Sequence, residues 1–172
     1  MTPMTLEIGS TWDGAPARTD ERATLTVAIT PEALVLSVDA PLHDDPAPPG
    51  PAGPTWGLWE HEVVELFVLG AQERYLEIEL GPGGHHLVLQ LHGRRNIVAR
   101  ELALDLRVER AAGRWTAVAR LDPALLPPAP HRLNAYAIHG VGPARRYLAW
   151  TPVPGPAPDF HRLECFPPMT PG

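Results

Sequence analysis

Residues Leu58 to Asn96 read LWEHEVVELFVLGAQERYLEIELGPGGHHLVLQLHGRRN, and the way their apolar and polar side chains alternate sets the fold. Side chains of a β-strand point alternately to its two faces, so Val63, Glu65 and Phe67 of VVELFV share one face. In YLEIEL, Leu76, Ile78 and Leu80 make an apolar face, and Tyr75, Glu77 and Glu79 make the other. In HHLVLQLH one register carries His86, Val88, Gln90 and His92, and the other carries His85, Leu87, Leu89 and Leu91. Three adjacent strands with the first of these registers place Glu65, Glu77, Glu79, His86, Gln90 and His92 on one polar, protonatable surface. Carboxyl and imidazole groups at that density, flanked by tryptophans, mark the surface as the place to look for function.

The rest of the chain extends the same pattern. Thr5 to Ile8, Ala23 to Ile29 and Ala33 to Val38 are short, alternating and β-branched, and Thr30-Pro31-Glu32 turns the chain between the last two. Leu102 to Arg110 and Arg114 to Leu121 form a second hairpin, and Leu133 to Val141 and Arg146 to Trp150 add two strands. The sequence DPALL allows one short helix, capped by Asp122 with Pro123 at its first position. Pro41 to Pro54 is a Pro/Gly-rich loop that cannot be a central strand, and a stiff loop there is expected to wall the site near Trp56 and Trp59. About nine short strands in one unit spanning 1–172 make an all-β, single-domain β-sandwich of jelly-roll type. Trp12 of TWDG is expected to fill space at its edge.

Composition limits the function classes. The 172 residues fit one domain with a full core. The formal net charge is -6, and the basic residues, all arginine, never run longer than a pair, which argues against a nucleic-acid partner. No apolar run approaches the ~18 residues of a membrane span, and the N-terminal residues lack a signal-peptide pattern. Cys165 is alone, so no intrachain disulfide forms. These features lead us to expect a soluble, cytoplasmic protein. Nothing in the pattern sets its oligomeric state.

Seven pieces, in order along nearly the whole chain, resemble an uncharacterised family whose animal members are known only as open-reading-frame products. They are TWDG (Thr11 to Gly14), LWEHEVVELF, YLEIEL, GGHHLVLQLHGRRN, LNAYAIHG (Leu133 to Gly140), PVP (around Val153) and PDFHRLECF. More distantly, Trp59 followed by Glu65 of a V-E-hydrophobic-F strand resembles the family 9 carbohydrate-binding modules and DOMON-like sandwiches. In those modules two tryptophans sandwich a sugar ring. By that resemblance Trp59 matches the first tryptophan and Trp150 is the candidate for the second. Where the modules use Gln and Arg on adjacent strands, this chain offers Glu79 and His86, which changes the chemistry shown to a ligand.

Several chemistries were weighed on the residues. A metal site could draw on Glu65, Glu77, Glu79, His86 and His92, since carboxylates and neutral imidazoles suit a divalent ion. A divalent metal is the one cofactor these residue types admit, and no nucleotide-cofactor fingerprint is present. His61-Glu62-Val63-Val64-Glu65 is not a zincin motif, because it reads as a strand rather than a helix. The glycines of GPGGHH suit a tight turn. Arg94, beside Arg95 and Asn96, could orient an acidic ligand group or pair with a glutamate. Asp159 and His161, if close to His139, would make an acid–base pair. Ser10 and Ser37 sit in no nucleophile elbow. The expectation is a non-catalytic binder of a small polyhydroxylated or carbohydrate-like ligand, using Trp59, Glu65, Glu79, His86, Arg94 and Trp150. Two alternatives stay open: a hydrolase or isomerase using Glu65, Glu77, His86, His139 and His161, and an intracellular interaction domain.

Overall fold

Val64, Leu66 and Val68 point to one side of their strand, Val63, Glu65 and Phe67 to the other, and both sides are buried. A strand covered on both faces must lie between two layers, and the architecture follows from that. The computed structural model describes residues 3–170. In chain order the strands are β1 (Met4–Ile8), β2 (Ser10–Thr11), β3 (Ala23–Ile29), β4 (Leu34–Pro41), β5 (Gly53–Pro54), β6 (Val63–Leu69) and β7 (Arg74–Leu80). They continue with β8 (His85–His92), β9 (Ile97–Ala99), β10 (Asp105–Ala111), β11 (Arg114–Leu121), β12 (Arg132–His139) and β13 (Arg146–Ala149). The helical segments among the described residues are three-residue 3-10 turns. One of them is the expected cap at Asp122, whose carboxylate accepts the Ala124 N–H at 2.8 Å.

Two sheets form a β-sandwich. The smaller runs β1-β3-β4-β11-β10, and the larger runs β2-β13-β12-β6-β7-β8-β5 with β9 paired to β8. Between them lies a dry core in which Leu25, Leu36, Trp115 and Ala119 face Leu66, Ile78, Val88 and Ala135. Glu65, Glu77 and Glu79 thus lie on adjacent strands β6 and β7, with Leu66, Ile78 and Leu80 in the core, as the alternation implied. Trp12 belongs to the edge of the larger sheet, where its N–H donates to the Tyr147 carbonyl at 3.0 Å and its carbonyl accepts the Val153 N–H at 2.8 Å.

The outer face of the larger sheet is roofed by the C-terminal segment from Thr151 to Met169. Phe160, Leu163 and Phe166 pack on Phe67 and Tyr136, with the Phe160 and Tyr136 rings stacked 3.8 Å apart. Asn134 fastens the start of this segment as a strand partner would. Its Oδ1 accepts the Thr151 N–H at 3.1 Å, and its Nδ2 donates to the Thr151 carbonyl at 3.0 Å. Asn134 is fully buried, so Asn134→Ala would leave those backbone groups unpaired. It should cost about 2 kcal/mol in urea unfolding and make the tail the first site of proteolysis. Unchanged stability would show that the roof is held by packing alone.

Candidate functional site

On the roofed face, the tail covers only part of the larger sheet and leaves a cleft of about 370 Å³. Its floor is made of Glu65, Glu77, Leu89, Leu91 and Ile138, one side chain or two from each of four neighbouring strands. Trp56 and Trp59 form one wall, edge to face at 5.0 Å. Gly57, at φ 79°, makes the turn into the 3-10 segment Leu58–Glu60 that carries Trp59. Tyr147 and Phe160 add aromatic surface, and Arg95 and His161 supply nitrogen groups.

Arg145 braces this wall. Its Nη2 donates to the Trp59 carbonyl at 2.6 Å and its Nη1 to the Gly140 carbonyl at 3.2 Å, while its Nε lies 3.3 Å from the Tyr147 hydroxyl. Across the cleft, Arg94 and Arg95 both pair with Asp159 of the tail, the Arg95 contact at 2.8 Å. Asp159 also accepts the His161 N–H at 3.0 Å. Burial alone would raise the Asp159 carboxyl, but the hydrogen bonds from Arg95 and Arg94 outweigh it and hold the group below its ordinary range. The Tyr75 hydroxyl accepts the Arg95 N–H at 3.0 Å and meets His161 Nδ1 at 2.7 Å. Burial, with Arg95 adding to it, pushes His161 down to about 4, so the ring is neutral at pH 7. If the Tyr75 hydroxyl donates to Nδ1, the ring proton sits on Nε2, which is then the free donor.

The floor has the opposite electrostatics. Glu65, Glu77 and Glu79 expose 2%, 4% and 0% of their surface. Glu65 and Glu79 are direct cross-strand partners, and Glu77 follows on the same face. Burial pushes Glu77 up to about 7. Glu65 is raised well above the usual carboxyl range by burial and then by Glu77, with Arg145 only tempering the shift. Glu79 is raised well above that range by burial and by its two acidic neighbours. Glu77 Oε2 and both oxygens of Glu79 receive no hydrogen bond from any other residue type, but the two carboxyls are close enough to share a proton, which favours Glu79 neutral and Glu77 ionised. The Trp59 N–H falls short of bonding geometry at Glu79 and only weakly favours its ionised form.

Several residues named from the sequence lie elsewhere. The β7–β8 register pairs Leu80 with His86 and Leu76 with Gln90, so His86 and Gln90 turn to the core side, opposite the glutamates. His92, opposite Arg74, is exposed on that side too. The cause is the turn. Gly81 N–H bonds to the His85 carbonyl, leaving the three-residue loop Pro82-Gly83-Gly84 with Gly84 at φ +85°. An odd loop joins residues of like parity, so Leu87 and Leu89, not His86, face Glu79 and Glu77. The candidate metal set Glu65, Glu77, His86 and His92 is therefore split across the sheet. Among the described residues no three His, Cys, Asp or Glu side chains converge on a metal position.

Trp150 also faces the inter-sheet core, and its place as second tryptophan at the cleft is taken by Trp56. Both cleft tryptophans are on one short turn, Trp56 just before the left-handed Gly57 and Trp59 inside the 3-10 segment that follows it. Arg94 binds Asp159 at the rim, and Glu79 lies beneath the floor. His139 does not meet His161. It stacks on His43 at 3.7 Å and donates to Glu21 at 3.0 Å. The Pro41 to Pro54 loop does not wall the cleft. Glu62 draws it aside by accepting the N–H groups of His43 and Asp45 at 2.8 and 3.2 Å, and only its far end reaches Trp56. Arg95, part of the Arg94-Arg95-Asn96 candidate named from the sequence, lines the cleft, whereas Tyr147, Phe160 and Arg145 were not singled out there as cleft residues, the Arg145-Arg146 pair being the one trace of the brace.

Fold and site together define a β-sandwich with an aromatic-walled, carboxyl-floored cleft on its larger sheet. No family model matches the chain, but known proteins do. The mouse UPF0462 protein C4orf33 homolog is 40% identical over 176 residues, covering 97% of this chain and 91% of the mouse protein. The human UPF0462 protein C4orf33 is 41% identical over 174 residues, covering 95% and 86%. The chain belongs to the UPF0462 family, the uncharacterised family that its motifs resemble. Among solved structures, a "putative carbohydrate-binding protein" from Bacteroides uniformis matches with a TM-score of 0.75 at 16% identity, over 97% of this chain and 84% of that one. That likeness is one of fold. No helix among the described residues is long and apolar enough to cross a membrane.

The floor carboxyls make stability depend on pH. Between the ordinary 4.5 and about 7 the folded chain keeps a proton on Glu77 that the unfolded chain gives up. In that window rising pH costs stability, at most about 1.4 kcal/mol per pH unit. His161 contributes the opposite slope between about 4 and 6.5, so the measurement is a difference. Glu77→Gln should gain stability relative to wild type as pH rises from 4.5 to 7 in chemical denaturation. A constant difference would mean that Glu77 is not desolvated.

Proposed function

We propose that the cleft binds a small polyhydroxylated, carbohydrate-like molecule without converting it. One observation carries the reading: an aromatic wall and two buried carboxyl groups face each other in a single concave site. Tryptophan rings offer flat apolar surface to the C–H face of a sugar ring. Carboxyl groups accept hydrogen bonds from hydroxyls and, when protonated, donate as well. A cleft of about 370 Å³ is of the size that small ligands occupy, about 300–1,000 Å³. The description of the Bacteroides protein supports the same ligand class. In this reading Trp59 stacks on the ligand, Glu65 and Glu77 hydrogen-bond its hydroxyls, and Arg95 and His161 serve its other edge.

Acid–base catalysis on the same ligand class is the second reading. It is favoured by Glu77, whose carboxyl is pushed up to about 7, beside Glu65, which burial also raises. Such a pair holds a proton donor and a proton acceptor together near neutral pH. A ligand recovered unchanged by NMR after long incubation supports binding; turnover lost in Glu77→Gln supports catalysis.

Calorimetry against a panel of sugars and sugar acids tests the first reading. Trp59→Ala should lose on the order of 1.5–3 kcal/mol of affinity. Glu65→Leu, which keeps bulk but removes the polar oxygens, should lose roughly 1 kcal/mol or more. Trp150→Ala should lower the melting temperature and leave affinity unchanged, because Trp150 faces the core. A wild-type protein that binds nothing in the panel overturns the reading.

A further inference from the structure

Three carboxyl groups meet at and beneath the cleft floor with no counter-charge of their own. Glu77 lines the cleft with 4% of its surface exposed, and its Oε2 has no partner. Glu79 sits behind it, directly across the strand pair from Glu65, and its only side-chain partner is the Glu77 carboxyl, with which it can share a proton but no positive charge. The surrounding cations are committed elsewhere. Arg95 is held by Asp159, and Arg145 gives its Nη donors to the carbonyls of Trp59 and Gly140. His161 is neutral at pH 7 and bonded to Tyr75. The Tyr136 hydroxyl donates to the Phe160 carbonyl. Arg95 and Arg145 temper the shifts of Glu77 and Glu65 from a distance, but neither forms an ion pair with the floor carboxyls.

We propose that the ligand of this cleft carries a protonated amine, an amino-substituted polyol such as an amino sugar, with its ammonium on Glu77 and Glu65 and its ring against Trp59. The proposal rests on the ligand-binding reading above and narrows it. A neutral hydroxyl satisfies an oxygen but brings no charge that would let a floor carboxyl ionise. An ammonium brings three N–H donors and the missing positive charge, forming the stronger, charge-assisted kind of hydrogen bond. The aromatic rings beside the floor attract the same cation through their faces. Glu77, titrating at about 7, is ready to ionise at neutral pH when a cation arrives.

The test is calorimetry at pH 7 with glucose, N-acetylglucosamine, glucosamine and n-propylammonium chloride, on wild type, Glu77→Gln and Glu65→Gln, each checked for folding by thermal melt. Glucosamine should bind at least roughly tenfold more tightly than glucose or N-acetylglucosamine, the step of about 1.4 kcal/mol that a charge-assisted bond adds. Glu77→Gln should bring that preference to within about twofold, and Glu65→Gln should reduce it. Equal binding of glucose and glucosamine, or a preference that survives both substitutions, overturns the amine and leaves the carbohydrate reading standing. Binding of n-propylammonium without any sugar upholds the cation site and sinks the carbohydrate reading. Binding of none of the four overturns both.

Discussion

Desolvation of one face of the larger sheet is the constraint on which the rest depends. The tail from Thr151 to Met169 lies over the face that carries Glu65, Glu77 and Glu79, and the carboxyls cannot keep the water they would hold on an open sheet. An ionised carboxyl buried without a partner is costly enough that such groups shift toward the neutral form. All three shift that way here. Leucine or methionine at these positions would pack at no electrostatic cost, so the demands of the core do not account for three glutamates. The roof and the carboxyls make sense together: one excludes water, and the other has hydrogen-bonding capacity that stays unused until a ligand supplies the donors.

A second buried acid in the same protein shows what a purely structural carboxylate looks like. Glu21 exposes 1% of its surface, yet it accepts hydrogen bonds from Arg146, from His139 and from the Arg18 N–H. Burial alone would raise it, and these partners instead hold it down to about 2. That site is complete: donors match acceptors, and the His139 that bonds Glu21 is itself stacked on His43. The chain is thus able to satisfy a buried carboxylate. The floor of the cleft differs from Glu21 in having no arginine or histidine bonded to it, and this contrast is the physical reason to place function at Glu65 and Glu77 rather than at the His139 cluster.

Much of the fold was legible because period-two alternation is local. Leu66, Ile78 and Leu80 had to share a face with one another whatever the rest of the chain did, and the hairpins at Thr30-Pro31-Glu32 and Ala111-Ala112-Gly113 carry their own turn residues. The relative register of β7 and β8 was harder to read, because it depends on how many of the residues in GPGGHH belong to the loop. Counting His86 onto the glutamate face amounts to an even loop; the Gly81–His85 pairing makes it odd, and every side chain of β8 changes sides. One residue of loop length therefore decided whether the site was a Glu/His cluster or a Glu floor lined with Leu89 and Leu91.

The second tryptophan was misplaced for a different reason, although Trp59 does line the cleft. Alternation along β13 puts Leu148 and Trp150 on the core side and Tyr147 and Ala149 on the other. The partner of Trp59 was sought at Trp150, three residues beyond Tyr147 and on the opposite face, whereas Tyr147 does reach the cleft. Trp56 lies outside any strand, on a turn whose direction is set by Gly57 and by Arg145 reaching across to the Trp59 carbonyl. Its position follows from contacts between residues 86 apart in the chain, and local pattern carries no trace of such contacts. What the sequence does preserve is the chemistry of the parts. Acid, aromatic and arginine recur where strands and loops must converge, and tertiary structure then selects which of them face each other across water-excluded space.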